Sequence, residues 1–181
     1  MRPRILFQGS FHADRARKDG GYVGHSEDAE LAKPIAQALG KALINSGIDL
    51  ILTGSTGLDH DIGASAVTAC KDLGHNPRER IRTIYYGANP SSGFGMVLQP
   101  ADKRWQEART FIVQECDAVI ALIGGKGTSD CLQKAVLANK PVFPIPRAGG
   151  AGRLEWDRLR AAKYRHPGGG DLEFLADQSL N

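Results

Sequence analysis

The chain has 181 residues, of which 41% are hydrophobic and 24% charged, and its formal net charge is +3. This balance excludes a disordered chain, and the length supports one well-packed core rather than two independent domains. We therefore expect a single domain over residues 1–181, as a whole protein or as one part of a longer one. The basic excess is mild and scattered, so we expect an anionic small molecule as the partner and no nucleic acid.

The three cysteines, Cys70, Cys116 and Cys131, have no CxxC spacing, which argues against a disulfide framework and against a structural zinc site. The N-terminus has no signal-peptide core, and no apolar stretch is long enough to span a membrane. These features predict a cytoplasmic protein without a membrane partner. No metal site and no resident cofactor are expected.

Short apolar segments alternate with segments of helical periodicity along most of the chain. Strands are predicted at residues 5–7, 48–52, 81–86, 118–123 and 141–145. Helices are predicted at 26–47, 59–73, 101–115, 132–138, 154–164 and 171–180, and loops at 11–26 and 87–100. The alternation predicts an α/β fold, a Rossmann-like open parallel sheet of about five strands with helices on both faces.

Three predicted strands end in clusters of small residues, and in open parallel sheets ligands bind beyond the carboxyl ends of the strands. The clusters are Gly9-Ser10, Thr53-Gly54-Ser55-Thr56-Gly57 and Gly124-Gly125-Lys126-Gly127-Thr128. Glycine allows sharp turns and close approach to a ligand, and the free N–H groups of a helix start favour a phosphate. We expect Thr128 to cap the following helix and to donate to a phosphate oxygen. The alternative is that the clusters are ordinary tight turns.

Two common nucleotide-binding motifs are absent. A Walker A element would need glycine in place of Ile120 and serine or threonine in place of Gly127. Gly9 stands alone after the first strand, so the GxGxxG fingerprint is missing and a dinucleotide dehydrogenase is not expected.

The segment 124–128, Gly-Gly-Lys-Gly-Thr, at the end of an apolar strand resembles the GGxGT core of the SLOG superfamily, which includes the LOG and DprA-like proteins. The segment 52–58, Leu-Thr-Gly-Ser-Thr-Gly-Leu, resembles the upstream glycine loop of that superfamily. The resemblance spans residues 5–146, and the GGxGT element is its specific part. It implies a Rossmann-like fold that binds nucleotide-derived ligands. It also implies a working arginine in the region of Arg104 and Arg109.

One departure from the superfamily pattern bears on function. The phosphoribohydrolase members read GGxGTxxE, and the position of the glutamate is Cys131 in this chain, with Ile123 in place of the usual preceding proline. N-glycosidic cleavage needs a carboxylate, which a thiol does not replace. The resemblance therefore implies a sensor domain for an ADP-ribose-like or cyclic nucleotide signal, as in bacterial antiviral defence, with no catalytic residue assigned.

Two enzymatic interpretations stay open. A nucleotide N-glycosidase or phosphoribohydrolase of the LOG type would use Asp130 or Glu107 in place of the missing glutamate. A protein of the nucleoside deoxyribosyltransferase type would need a carboxylate nucleophile near the pocket floor. A carboxylate within hydrogen-bond reach of a bound ribose would favour an enzyme.

Asp59, His60 and Asp61 open the second predicted helix. The helix dipole favours acids there, and adjacent side chains point in different directions, so we do not expect them to bind a metal. The predicted helix at 101–115 carries an apolar face with Trp105, and its exposed side is a candidate surface for a homo-oligomer.

Overall fold

The computed structural model describes residues 1–9, 26–54, 56–85, 93–99, 105–167 and 169. The strands are β1 Arg4–Gln8, β2 Asp49–Leu52, β3 Ile81–Ile84, β4 Met96–Leu98, β5 Ala118–Leu122 and β6 Val142–Ile145. They form one parallel sheet in the order β4-β3-β2-β1-β5-β6. The chain therefore winds from β1 towards one edge and then returns to the other side of β1.

Helices connect the strands over the described part of the chain. They are α1 Ser26–Asn45, α2 Leu58–Asp72, α3 Pro77–Arg80, α4 Trp105–Glu115, α5 Lys126–Leu137 and α6 Gly150–Ala161, with a 3-10 turn at Pro146–Ala148. None of the helices described is long and apolar enough to cross a membrane. The winding reverses between β1 and β5, which is the point where open α/β sheets bind ligands.

Apolar side chains cover the sheet on both faces. Phe7 and Leu52 belong to one cluster with residues of α1 and α2, whereas Leu6, Ile51 and Val119 belong to another with residues of α4, α5 and α6. Successive side chains of a strand point to opposite faces, so neighbours in sequence enter different clusters. The predicted α/β fold with helices on both faces is confirmed, with six strands where about five were expected.

The additional strand, β4, lies in the segment 87–100 that was predicted to be a loop. It has three residues and pairs with β3 at the edge of the sheet. Met96 and Val97 are each 39% exposed. The strand is an apolar run of only three residues, and it lies in a segment rich in glycine, proline and serine, a composition that predicts a loop.

Two helices begin earlier than their periodicity predicts. Helix α5 begins at Lys126 instead of residue 132, and α6 begins at Gly150 instead of residue 154. Both first turns contain glycine, which lowers helix propensity and conceals the start. Gly127 and Thr128 therefore lie in the first turn of α5 rather than in a loop. The helix predicted at 171–180 lies outside the described residues.

Candidate functional site

The carboxyl ends of β2, β1 and β5 lie side by side at the reversal of the chain. Gly9 follows β1 and is buried, and a Cβ there would meet the backbone oxygen of Leu122 at 2.9 Å. On the other side of β1, Gln8 Nε2 donates a hydrogen bond to Thr53 Oγ1 at 3.2 Å. The small residues that follow these three strands are thus brought to one edge of the sheet.

The turn after β5 has a left-handed backbone, with φ of 58° at Ile123 and 78° at Gly124. The Thr128 side chain fills the space beside Gly124 and is 4% exposed, so a Cβ at Gly124 would collide with it. Gly125 is the N-cap of α5, and no side chain caps the helix. The prediction that Thr128 caps this helix is wrong, because Thr128 lies inside the first turn with its side chain packed inward.

Gly125 and Gly127 have different surroundings. A Cβ at Gly125 would meet no atom within 4 Å from the described residues beyond its chain neighbours, and its φ of −121° is open to any residue. Packing therefore gives no reason for glycine at this position. A Cβ at Gly127 would lie 2.9 Å from a terminal nitrogen of Arg109. Lys126, between the two glycines, is exposed.

Arg109 reaches the first turns of α5 from α4. Its Nη1 donates to Asp130 Oδ2 at 3.1 Å, and its side chain is 15% exposed. The first turn of α5 contains no acidic residue and carries the exposed Lys126, while Asp130 in the next turn balances the charge of Arg109. Three other predicted contacts to the ligand lie outside the described residues, namely Ser10, Ser55 and Arg104.

The N-terminus of α6 supports the turn after β5, a contact that sequence analysis missed. The N–H of Ala151 donates to the carbonyl of Gly124 and the N–H of Gly152 to that of Ile123, each at 2.9 Å. Gly150 has a φ of 65°, and a Cβ there would lie 2.8 Å from the carbonyl carbon of Ile123. Glycine allows this close approach of two backbones. The only sequence signal was the glycine-rich composition before α6.

The loop between β2 and α2 holds a buried carboxyl group. Gly57 is the N-cap of α2 with a φ of 57°, and Thr56 is exposed. Asp59 is 7% exposed, and its Oδ2 lies 2.7 Å from the position that a Cβ of Gly54 would occupy. Asp59 Oδ1 is buried and has no hydrogen-bond partner among the described residues. Burial raises the pKa of Asp59 to about 8. Sequence analysis considered this residue only as a first-turn acid.

The position of the missing glutamate belongs to the core. Cys131 is 1% exposed and lies in the same apolar cluster as Ile112 and Leu132. Burial raises the pKa of its thiol to about 12, although the charge of Arg109 opposes this shift. The thiolate is the reactive form of cysteine, so this side chain is inert at neutral pH.

Two carboxylates near this position are already engaged. Asp130 forms the ion pair with the guanidinium of α4. Glu155 of α6 is 3% exposed and accepts hydrogen bonds from Gln133 Nε2 at 3.0 Å and from Arg158 Nε at 2.6 Å. Glu107 is exposed on α4. These contacts count against a direct replacement of the glutamate by a neighbouring acid.

A separate surface groove of about 480 Å³ lies between α1 and α2. Its polar lining includes Lys33, Gln37, Lys41, His60, Asp61 and Asp72. Gln37 Nε2 donates to Asp61 Oδ1 across it at 3.3 Å. The groove follows the two helices rather than the strand ends, and it is an alternative location for a ligand.

The fold is similar to that of several solved structures. No family model and no curated protein matches the chain. The structure of TM1055 has a TM-score of 0.63 and 17% identity, covering 96% of this chain and 88% of that one. DNA processing protein A from Helicobacter pylori has a TM-score of 0.59 and 13% identity, covering 89% and 73%. The molybdenum cofactor binding protein from Rippkaea orientalis has a TM-score of 0.56 and 18% identity, covering 79% and 76%.

At such identities the similarity to these three proteins shows the fold alone. The Rossmann-like fold that the GGxGT resemblance implies is therefore confirmed. The expectation that nucleic acid is not a partner is overturned, because DNA processing protein A binds single-stranded DNA with the same fold. A mild net charge therefore does not exclude nucleic acid as a ligand of a protein with this fold.

Proposed function

We propose that the chain binds a nucleotide-derived ligand between the carboxyl ends of β1 and β5, with a phosphate of the ligand at the N-terminus of α5. The observation that carries the proposal is the environment of Gly125. This residue is the N-cap of a helix of 12 residues and has no side chain to cap it, and no described residue other than its chain neighbours has an atom within 4 Å of its Cβ position. A helix start with free N–H groups and open space in front of it suits an anion.

The charges around α5 support the same ligand. Arg109 lies against Gly127, Lys126 is exposed, and the first turn carries no acid. Lys126 adds to the positive end of the helix dipole, and Arg109, whose charge Asp130 balances, supplies hydrogen-bond donors for a phosphate. The ion pair with Asp130 fixes the guanidinium of Arg109 before a ligand arrives. Ligand binding then requires little further loss of conformational entropy from this long side chain.

Within this proposal the chain is a sensor of an ADP-ribose-like or cyclic nucleotide signal, as in bacterial antiviral defence, rather than an N-glycosidase. The support is chemical. Cys131 is a buried, protonated thiol, and the neighbouring carboxylates Asp130 and Glu155 are engaged by cationic side chains. Hydrolysis of a nucleotide requires a carboxylate that is free to act on the ribose or on water. Cys131, Asp130 and Glu155 do not supply such a group.

A thermal-shift screen identifies the ligand. The probes are AMP, ADP-ribose, NAD, cyclic ADP-ribose and a short single-stranded oligonucleotide, since DNA processing protein A has the same fold. A ligand at a hundred times its dissociation constant stabilises the protein by about 2.7 kcal/mol. Free adenine released from AMP by the protein would contradict the sensor proposal and favour the enzyme.

The variant Gly125→Ala tests the position of the phosphate. The structure accepts a Cβ here, so we expect a folded protein that loses about 1 kcal/mol of stability at most, as at other helix caps. A phosphate held close to the backbone would meet the new methyl group, and we expect calorimetry to show at least tenfold weaker binding, about 1.4 kcal/mol. Lys126→Ala at the next residue is the comparison variant, and loss of its screened charge should weaken binding less, by about 1 kcal/mol or below. Unchanged affinity in Gly125→Ala would leave the turn with a structural role only.

A further inference from the structure

Asp59 is a buried carboxyl group, and one of its oxygens has no hydrogen-bond partner among the residues that the structure describes. It lies in the first turn of α2 and is 7% exposed. Its Oδ1 has no partner among the described residues. Most buried polar atoms in native proteins are paired, and an exception calls for an explanation such as a ligand that completes the set.

The carboxyl group lies at the same edge of the sheet as the start of α5. Its Oδ2 is beside Gly54, two residues after the end of β2. Both β2 and β5 pair with β1, so their ends are roughly 10 Å apart, which is two strand spacings. The hydrogen bond between Gln8 and Thr53 joins β1 to β2 at this level. A nucleotide with its phosphate at α5 extends across β1 towards Asp59.

We propose that Asp59 binds the nucleoside part of the ligand, with Oδ1 accepting a hydrogen bond from a hydroxyl or amino group. This inference rests on the proposed function, because it takes the phosphate position at α5 as given. It adds a residue that determines specificity and that lies outside the GGxGT element. Glycine at position 54 is then explained by the room that the carboxyl group needs.

Burial keeps the proton on Asp59 at neutral pH, because the pKa of the group is raised to about 8. A neutral carboxyl does not repel the phosphate of the ligand, whereas an ionised one would. It offers one carbonyl acceptor and one O–H donor. Asparagine also offers an acceptor and donors in a similar shape, so it is the conservative replacement. Leucine is of similar size and offers neither.

The test compares Asp59→Leu, Asp59→Asn and the control Asp61→Leu by calorimetric titration. The probes are AMP, ribose 5-phosphate and inorganic phosphate. Asp61 lies in the same turn of α2 but bonds to Gln37 in the groove between α1 and α2, so its loss alters the helix end without altering the site. Each probe shares the phosphate, and only the first two carry a sugar.

We expect Asp59→Leu to weaken AMP binding by about tenfold, the loss of one buried hydrogen bond, and to leave inorganic phosphate binding unchanged. Asp59→Asn and Asp61→Leu should bind AMP like the parent. If Asp59→Leu also binds ribose 5-phosphate more weakly, the hydrogen-bond donor of the ligand lies on the sugar. If only AMP binding is weakened, the donor lies on the base. Either result supports the inference.

Thermal unfolding without ligand separates a ligand contact from a structural role. Removal of a buried carboxyl whose Oδ1 has no partner among the described residues should raise the Tm of Asp59→Leu, because no described hydrogen bond offsets the desolvation of that oxygen. A lower Tm, or AMP affinity equal to the parent, overturns the inference while the proposed function stands. If the parent protein binds none of these three probes and none of the nucleotides in the thermal-shift screen, the proposed function fails and the inference fails with it.

Discussion

Among single residues, the glycines of the candidate site have separate physical explanations. Gly124 has a left-handed backbone and packs against Thr128, and Gly127 leaves room for Arg109. Gly125 has an ordinary φ and no described residue other than its chain neighbours near its Cβ position, so packing does not account for glycine there, and the proposed phosphate does. Sequence composition predicted the cluster, but these distinctions depend on which side chain reaches each glycine, and Arg109 arrives from another helix.

The two cations of the site should contribute unequally to binding. Arg109 is largely buried and held by Asp130, so its planar guanidinium can form paired contacts with a phosphate. Lys126 is exposed, and its charge is screened by solvent. We expect Arg109→Ala to weaken binding of the ligand from the screen by at least tenfold, about 1.4 kcal/mol. Lys126→Ala should cost about 1 kcal/mol or less. Calorimetric titration that reverses this order would remove Arg109 from the site.

Asp59 should make stability depend on pH in a direction unusual for an acid. Its pKa is raised by burial from 3.8 to about 8, so the folded protein keeps a proton that the unfolded chain releases above pH 4. The free energy of unfolding therefore includes the whole stabilising contribution of this group below about pH 4. That contribution decreases as the pH rises from about 4 to about 8. Urea unfolding of the parent and of Asp59→Asn across this range measures the difference. A difference that does not change with pH would contradict the burial of an uncompensated carboxyl.

For secondary-structure elements, apolar runs predicted the buried strands because parallel strands covered on both faces lack polar positions. The same criterion missed β4, where two of three side chains are half-exposed. Glycines in the first turns of α5 and α6 lowered the helix propensity there, so the predicted helices began too late. These first turns are the parts of the two helices that lie at the candidate site. The α6 start donates two backbone hydrogen bonds to Ile123 and Gly124, a contact between segments that no local pattern reveals.

The support that α6 gives to the turn after β5 is testable with two glycines of similar backbone. Gly150 and Gly74 have φ of 65° and 68°, but only at Gly150 would a Cβ meet other atoms, the backbone of Ile123 and Gly124. Gly74→Ala should cost about 1–2 kcal/mol from backbone strain alone. Gly150→Ala should cost clearly more and should speed hydrogen exchange at the amides of Ala151 and Gly152. Equal stability loss in the two variants would show that α6 does not hold the turn.

At the scale of the whole molecule, alternation of strands and helices predicted a parallel sheet but left the strand order open. The order places β1 between β2 and β5, and this brings Gly9, Gly54 and Gly124 to one edge. The burial of Asp59 also follows from tertiary packing, since its neighbours in sequence are those of an ordinary helix start. The sequence could therefore predict which loops form the candidate site, but not the carboxyl group between them.

The amide NMR spectrum of the labelled protein during titration with AMP tests the central claim most directly. We predict that the largest shifts fall on the N–H groups of Gly125, Lys126 and Gly127, because a phosphate at a helix start accepts hydrogen bonds from these donors. Gly125→Ala should abolish these shifts at the same AMP concentration. Shifts confined to the groove between α1 and α2, at Lys33 and Asp61, with the start of α5 unchanged, would contradict the account.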